Sequence, residues 1–244
     1  MSVPGGDHAI WIVAAVLYVL DAARLLAPRA FLLVEGARGR LVPALADAPF
    51  TLAGRIVAFG PLLRPDRAVF VVRWGDAWSD PAALHAARRR LADVASALLP
   101  LRVVVVWVAA WLFVAGPALT SWLGPTLAIY LAAAAVYPAA LAAALLLWSA
   151  RRRLGLGPAR VAHLAVEALV CPPSLTNLVR KVSAAQRVDG DGAQIALADL
   201  DADGRARFWE RLEGRAEELV NELGRDEAEG RRLLAYLRTA RAAR

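Results

Sequence analysis

The chain has 244 residues, of which 59% are hydrophobic, above the roughly 45–50% that is usual in soluble domains. Its formal net charge of +7 comes almost entirely from arginine, since Lys181 is the only lysine. The single cysteine, Cys171, excludes an intrachain disulfide, and the three histidines lack metal-ligand spacing. These totals, with a mean hydropathy of +0.46, indicate a membrane-embedded part.

Residues 9–27 predict a first transmembrane helix, which ends before Pro28. Its first twelve residues, AIWIVAAVLYVL, carry no charge, whereas Asp21 and Arg24 follow at i,i+3 spacing. An ordinary helix end, in which these two pair and Arg24 reaches the lipid headgroups, is the favoured interpretation. A buried functional carboxylate at Asp21 is the alternative. A cleaved signal peptide is not expected, because no basic residue precedes the stretch.

Residues 28–100 predict a cytoplasmic part made of a small sheet and an amphipathic helix. Four short apolar runs, AFLLVE, GRLVP, GRIVAFG and RAVFVVRW, are separated by glycine, proline and aspartate, as in an antiparallel meander. The helix should begin with Asp80 as its N-cap and Pro81 in its first turn. We expect lipid-headgroup contact or topology control from three arginines on this helix: Arg88, Arg89 and Arg90. Packing of the helix against the small sheet is equally compatible with the pattern.

Residues 101–122 and 127–148 predict the second and third transmembrane helices. Arg102 is the only charge in the first stretch, and the second has none. At a rise of about 1.5 Å per residue, each is long enough for a hydrocarbon core of about 30 Å. The alanine-rich composition of 127–148 predicts that this helix packs against another one.

Arginine distribution predicts the topology. The segment 28–100 holds ten arginines, and three more, Arg151, Arg152 and Arg153, follow the third span, whereas the connection SWLGP has no charge. The positive-inside rule places the N-terminus and this connection outside, and residues 28–100 and 151–244 in the cytoplasm. Because the arginines adjoin the predicted membrane ends, they are expected to meet lipid and not nucleic acid. The charge rule and the arginine bias favour a bacterial inner membrane.

Residues 151–244 predict a helical cytoplasmic tail. Pro158 should open a helix that the double proline at 172–173 closes, and a second helix should restart at Ser174. Asn177 and Arg180, at i,i+3 spacing, predict a solvated polar face. After residue 187 the polar sequence has apolar residues at helical spacing, which predicts two antiparallel helices.

Cys171 raises the question of catalysis with His163. Eight residues on one helix separate the two by about 12 Å, too far for a hydrogen bond. A packed thiol is therefore the favoured interpretation, and catalysis and lipid modification are the alternatives. Glu167 lies on the same predicted helical face as His163.

Residues 199–210, DLDADGRARFWE, match a calcium-loop pattern. The ligands would be four acidic residues: Asp199, Asp201, Asp203 and Glu210. Arg207 would bring a positive charge to ligand position nine, and the sequence has no second loop that matches the pattern and could pair with this one. The favoured interpretation is therefore a helix start with Asp201 or Asp203 as its N-cap.

Together these patterns predict a mainly α membrane protein with three transmembrane helices, a small α+β cytoplasmic insertion and a helical C-terminal region. The leading functional hypothesis is a non-enzymatic membrane anchor or assembly subunit that binds a protein partner or self-associates. No cofactor and no nucleic acid are expected. The alternatives are a calcium-responsive sensor acting through residues 199–210 and a membrane enzyme acting on a lipid-linked substrate near Cys171.

Overall fold

A computed structural model describes residues 8–45, 50–75, 80–223 and 227–242. The protein is mainly helical with a small sheet region. Its helices are α1 (Ala9–Ala22), α2 (Pro81–Ala97), α3 (Leu99–Ala110), α4 (Gly116–Leu123), α5 (Pro125–Ala150), α6 (Pro158–Val170), α7 (Pro172–Leu175), α8 (Leu178–Ala184), α9 (Gly192–Asp199), α10 (Ala202–Leu223) and α11 (Ala228–Ala242). Its strands are β1 (Ala23–Leu26), β2 (Ala30–Glu35), β3 (Leu41–Ala44), β4 (Thr51–Leu52), β5 (Arg55–Phe59) and β6 (Val69–Arg73).

The chain divides into two compact units. The first, here called the helical unit, comprises Met1–Ala23, Gly60–Ala68 and Asp93–Ala184. The second, here called the sheet unit, comprises Arg24–Phe59, Val69–Ala92 and Ala185–Arg244. Each unit is therefore assembled from three separate stretches of sequence.

Two helices of the helical unit are long and apolar enough to cross a membrane. α3, a π-helical turn at Trp111–Ala115 and α4 form one continuous helix, Leu99–Leu123, of 25 residues, and α5 has 26. Only 28% and 22% of their most apolar windows are buried, whereas the core helix of a soluble protein would be mostly buried. The predicted helices at 101–122 and 127–148 are confirmed as helices of spanning length.

The first apolar stretch forms a shorter helix than the sequence predicted. α1 has 14 residues, about 21 Å, and ends at Ala22 instead of Ala27. Ala23 adopts an extended conformation, and the chain continues as β1, which pairs with β5. Strand pairing therefore overrides the helical propensity of the apolar residues after Asp21. The third span is not confirmed.

α1 packs closely on the helix Leu99–Leu123. Gly116 allows this, because a Cβ atom there would lie 2.4 Å from the ring of Trp11. The Trp11 indole donates a hydrogen bond to Thr120 Oγ1 at 2.7 Å. Further along α1, the rings of Tyr18 and Phe113 lie 5.1 Å apart. A short apolar helix is thus fixed against a long one by a close backbone approach and aromatic contacts.

The sheet unit contains two three-stranded sheets, ordered β3-β2-β6 and β1-β5-β4. In the first sheet β2 pairs antiparallel with both neighbours, so that Leu33 lies opposite Pro43 and Phe70. The inner residues of β2 are packed by α10, where Phe208 lies 5.6 Å from Phe31. The predicted small antiparallel sheet is confirmed. The predicted N-cap of α2 is confirmed as well, since Asp80 Oδ1 accepts from the Ala83 amide at 2.7 Å.

Asp191 connects three elements at the centre of the sheet unit. Its carboxylate caps α9 by accepting from the Ala193 and Gln194 amides at 3.0 and 3.1 Å. It also accepts from the Tyr236 hydroxyl at 2.9 Å and from the Gly75 amide at 3.2 Å. Burial raises the pKa of Asp191, although these hydrogen bonds favour its charged form.

Candidate functional site

A group of buried and partly buried polar side chains stands out in the helical unit. We call it the polar cluster. Its members come from α1, from α6 and from the segment that comprises α7, α8 and the turn between them: Asp21, Glu167, Ser174, Asn177, Arg180 and Lys181. The α7–α8 segment can hold them because it is buried on every side. Its apolar residues fill the surrounding core: Leu175, Leu178, Val179 and Val182.

Lys181 is the centre of the polar cluster and is only 8% exposed. Its ammonium lies 2.7 Å from Asp21 Oδ1 and also bonds Glu167 Oε1 and Ser174 Oγ. Partial burial opposes ionisation of Glu167, but the hydrogen bonds from Lys181 and Ser174 and the Lys181 charge outweigh it and lower the pKa of Glu167. The only lysine of the chain is therefore held between two carboxylates.

Ser174 bridges the same two carboxylates. Its hydroxyl oxygen lies 2.9 Å from Glu167 Oε1 and 3.3 Å from Asp21 Oδ2, and it accepts from Lys181. The buried Asn177 amide donates to Asp21 Oδ2 at 3.0 Å and to the Tyr18 carbonyl at 3.0 Å. Asp21 thus receives hydrogen bonds that tie α1 to the α7–α8 segment.

Arg180 is 2% exposed and extends the polar cluster toward the loop at 60–68. Its guanidinium donates to Asn177 Oδ1 at 2.7 Å, to the Pro61 carbonyl at 2.5 Å and to the Tyr18 hydroxyl at 3.1 Å. Its Nε is buried without a hydrogen-bond partner. The predicted solvated face at Asn177 and Arg180 is therefore wrong, because both side chains lie in the interior.

The charges of the polar cluster balance, with two carboxylates and two cations. Lys181 is paired with two carboxylates as well as with Ser174, and this pairing opposes a role for its nitrogen as general base toward the Ser174 hydroxyl. A carboxylate whose pKa is lowered, as in Glu167, is also a weak base. The geometry is suited to holding helices together rather than to activating a nucleophile.

The polar cluster adjoins the helix Leu99–Leu123 through Tyr18 and the α7–α8 segment. Phe113, which touches Tyr18, is about 21 Å along that helix from Leu99. The Arg180 guanidinium carbon is 5.5 Å from the centre of the Tyr18 ring. Tyr18 therefore connects Arg180 to Phe113 in the π-helical turn Trp111–Ala115, where irregular helical geometry is often functional.

His163 and Cys171 lie at the edge of this region. His163 is exposed on α6, and its charge contributes to the lowered pKa of Glu167. Cys171 is partly buried between α6 and α7, and its carbonyl accepts from the Ser174 amide at 2.8 Å.

Helix α7 begins at Pro172, two residues before the predicted restart at Ser174. A proline in the first helical turn loses no intrahelical hydrogen bond, so the double proline starts a helix here.

The arginines predicted to contact lipid have different surroundings. Arg88 is paired with Asp199 within the sheet unit, whereas Arg89 and Arg90 are exposed. Arg151 stacks over Trp148, with the guanidinium carbon 3.9 Å from the ring centre. The two that follow on the turn after α5, Arg152 and Arg153, are exposed.

The calcium-like stretch forms the start of α10. Asp201 Oδ1 accepts from the Gly204 amide at 2.7 Å, so Asp201 is the N-cap and Asp203 lies in the first helical turn. Asp199 accepts from the Leu41 amide at 3.0 Å, and Glu210 is exposed on the helix. Among the residues that the structure describes, no three His, Cys, Asp or Glu side chains could hold a metal ion together. Calcium binding remains a prediction.

Comparison with known proteins adds no relative: no protein-family model, no curated protein and no solved structure matches the chain.

The sequence did not predict the polar cluster, because its members are far apart along the chain. Asp21 and Ser174, for example, are separated by 153 positions. One signal was present: Lys181 is the only lysine among 29 basic residues.

Proposed function

We propose that this chain is an integral protein of the bacterial inner membrane that acts as a non-enzymatic anchor or assembly subunit. The observation that carries the proposal is the polar cluster, whose ionisable groups are paired with one another beside a helix of spanning length. Such groups are tolerated beside lipid when they are shielded by protein and paired. The cluster would fix α1 and the α7–α8 segment to the two long helices.

The surfaces of the two long helices support a membrane location. Large apolar side chains stand exposed along them, among them Val103, Val114 and Leu145. Exposed apolar surface of this extent marks contact with lipid or with another protein. In the proposed arrangement the connection at Gly124 lies outside, and the arginines after Ala150 and the sheet unit lie in the cytoplasm. Residues 1–7, predicted to be outside, are not among the described residues.

The sheet unit offers a surface for a protein partner. Four exposed apolar side chains lie on or beside the sheet β1-β5-β4: Leu25, Phe50, Leu52 and Phe59. Phe50 is the most exposed of the four, at 69%. Two of them, Phe50 and Phe59, also line a cavity of about 350 Å³ with Arg215 on its wall. We propose that an apolar segment of the partner binds here, with an acidic group near Arg215.

Affinity purification from a mild detergent tests this proposal. The full chain should recover a stoichiometric protein partner, and Phe50→Asp should reduce that recovery strongly. Val42→Asp is the matched control, since Val42 is an exposed apolar residue on the other sheet. Recovery of no stoichiometric partner by the natural chain, or equal recovery by both variants, would contradict partner binding at this surface.

A membrane enzyme near Cys171 is the second candidate function. One observation favours it: the Ser174 hydroxyl is hydrogen-bonded to Lys181, a pair that some hydrolases use for nucleophilic attack. The carboxylates beside Lys181 oppose this role. Complementation of a deletion strain separates the two functions. An anchor should tolerate Cys171→Ala and keep part of its function in Ser174→Ala, which only weakens the polar cluster. An enzyme that uses either side chain as its nucleophile would lose activity.

A further inference from the structure

A cleft in the helical unit lies between the start of the helix Leu99–Leu123 and the end of α5, both of which have arginines nearby. It measures about 340 Å³, within the range of small-ligand sites. The start of the helix Leu99–Leu123 and the residues before it form one wall, and the end of α5 with the following turn forms the other. Its lining includes Leu98, Leu101, Leu146, Leu147, Ser149 and Arg153.

The cleft has an apolar interior and a polar edge. Leu98, Leu101 and Leu147 are buried and supply apolar wall. Ser149 and Arg153 are both exposed, and they supply a hydroxyl and a positive charge at the rim. A ligand that fits must therefore be amphipathic, with an apolar part between the helices and an anionic part near Arg153.

The local sequence makes this end of the helical unit strongly basic. Residues 94–166 contain no aspartate or glutamate, and their basic side chains are five arginines: Arg102, Arg151, Arg152, Arg153 and Arg160. Under the proposed topology this end meets the headgroups of the inner leaflet, where anionic lipids are the available amphipathic anions.

We propose that the cleft binds one anionic glycerophospholipid of the inner leaflet. Its phosphate lies against Arg153, and the first part of an acyl chain lies along Leu98, Leu101 and Leu147. This inference depends on the proposed membrane location. It goes beyond general attraction of arginines to lipid, because it assigns the lipid to one arginine of the run 151–153 and to one cleft.

Lipid retention by the full chain tests the assignment. The chain is reconstituted in nanodiscs with equal parts of phosphatidylglycerol and phosphatidylcholine, extracted in mild detergent and analysed by native mass spectrometry. We expect one retained phosphatidylglycerol and a loss of about fivefold in that species for Arg153→Ala. Arg152→Ala is the matched control, because Arg152 is exposed but does not line the cleft. It should retain the lipid.

A second variant separates the cleft from diffuse charge. Ala97→Phe places a ring into the cleft wall, leaves every arginine in place and should also reduce lipid retention. Equal loss in Arg152→Ala and Arg153→Ala, equal retention of the two lipids, or no retained lipid would overturn the proposal. Inorganic phosphate at millimolar concentration should not displace the lipid; displacement would show a phosphate site instead.

Carbonate extraction of membranes tests membrane integration separately. Release of the chain by carbonate would contradict the proposed membrane anchor itself.

Discussion

At the scale of single residues, the interior of the helical unit uses charge where most cores use only packing. Burying an ion pair costs desolvation that attraction and hydrogen bonds must offset, so such pairs contribute less to stability than to fixing one arrangement. Lys181 and Arg180 have this role, since each contacts groups from at least two segments that are distant in sequence. Removing one partner is then much more damaging than the net contribution of the pair.

Lys181→Met should lower the free energy of unfolding by about 3 kcal/mol, because it leaves two carboxylates without their cation. This is the lower end of the usual range, since the Asp21 and Glu167 side chains remain 24% and 32% exposed. Denaturant titration in mild detergent measures the loss. Arg160→Met, an exposed basic position on α6, should cost under about 0.5 kcal/mol. Equal losses for the two variants would show that the cluster does not stabilise the fold.

Asp201→Ala should destabilise the sheet unit by about 1 kcal/mol through loss of the α10 N-cap. The effect should be the same with and without calcium. Titration calorimetry of the full chain should give no calcium-dependent heat. A calcium heat that Asp201→Ala abolishes would instead establish the sensor function. Asp203→Ala is the control, since Asp203 is exposed within the first turn and makes no cap.

At the scale of elements, periodicity and composition identified most helices, whereas pairing between distant segments decided the rest. The two long helices and the α2 cap follow from apolar length and from the Asp80–Pro81 signal, which are local properties. The end of α1 at Ala22 depends on β5, more than 30 residues later, so no local pattern marks it. The burial of Asn177 and Arg180 likewise depends on α1 and on the loop at 60–68. Polarity alone predicts exposure there and fails.

Gly116→Leu should displace α1 from the long helix. A side chain at this position would overlap the Trp11 ring, and overpacking of this kind typically costs about 1–3 kcal/mol. The hydrogen bond from Trp11 to Thr120 should be lost as well, which a shift in tryptophan fluorescence can follow. Ala118→Leu, at an exposed position of α4, is the matched control and should leave both stability and fluorescence unchanged.

Asp191→Asn should remove a pH dependence from the stability of the sheet unit. Because the pKa of Asp191 is raised on folding, the folded state binds its proton more tightly than the unfolded state. Its contribution is complete below the ordinary aspartate pKa and is lost as the pH rises through the raised value. The natural chain should therefore gain stability relative to Asp191→Asn as the pH falls from neutral. A difference that is independent of pH, measured by denaturant titration, would contradict the raised pKa.

At the scale of the whole molecule, the order of residues along the chain does not match the division into units. Each unit takes three separate stretches, so the chain passes between the units five times. Sequence analysis divided the chain at its apolar stretches, which placed residues 60–68 and 158–184 in cytoplasmic parts. The structure groups both with the long helices, since Asn177 donates to Asp21 on α1 and Arg180 donates to the Pro61 carbonyl.

Single-cysteine labelling should test the topology of the whole chain. Cys171 is the only cysteine, so Cys171→Ser gives a background without thiols. Trp122→Cys, at an exposed position beside the outer turn, should react with an impermeant maleimide on intact cells. Arg55→Cys and Thr239→Cys, both exposed in the sheet unit, should react only after permeabilisation. Reaction of these two from opposite faces would disprove a shared cytoplasmic location.

The enclosure of Lys181 also determines how the protein responds to acylating reagents. It is the only side-chain primary amine in the sequence, and the fold covers it. Succinimide esters and lysine-directed cross-linkers should therefore modify this side chain slowly while the native state persists. The rate of Lys181 acylation then reports how often the interior around this side chain opens. Peptide mapping measures that rate without any introduced probe.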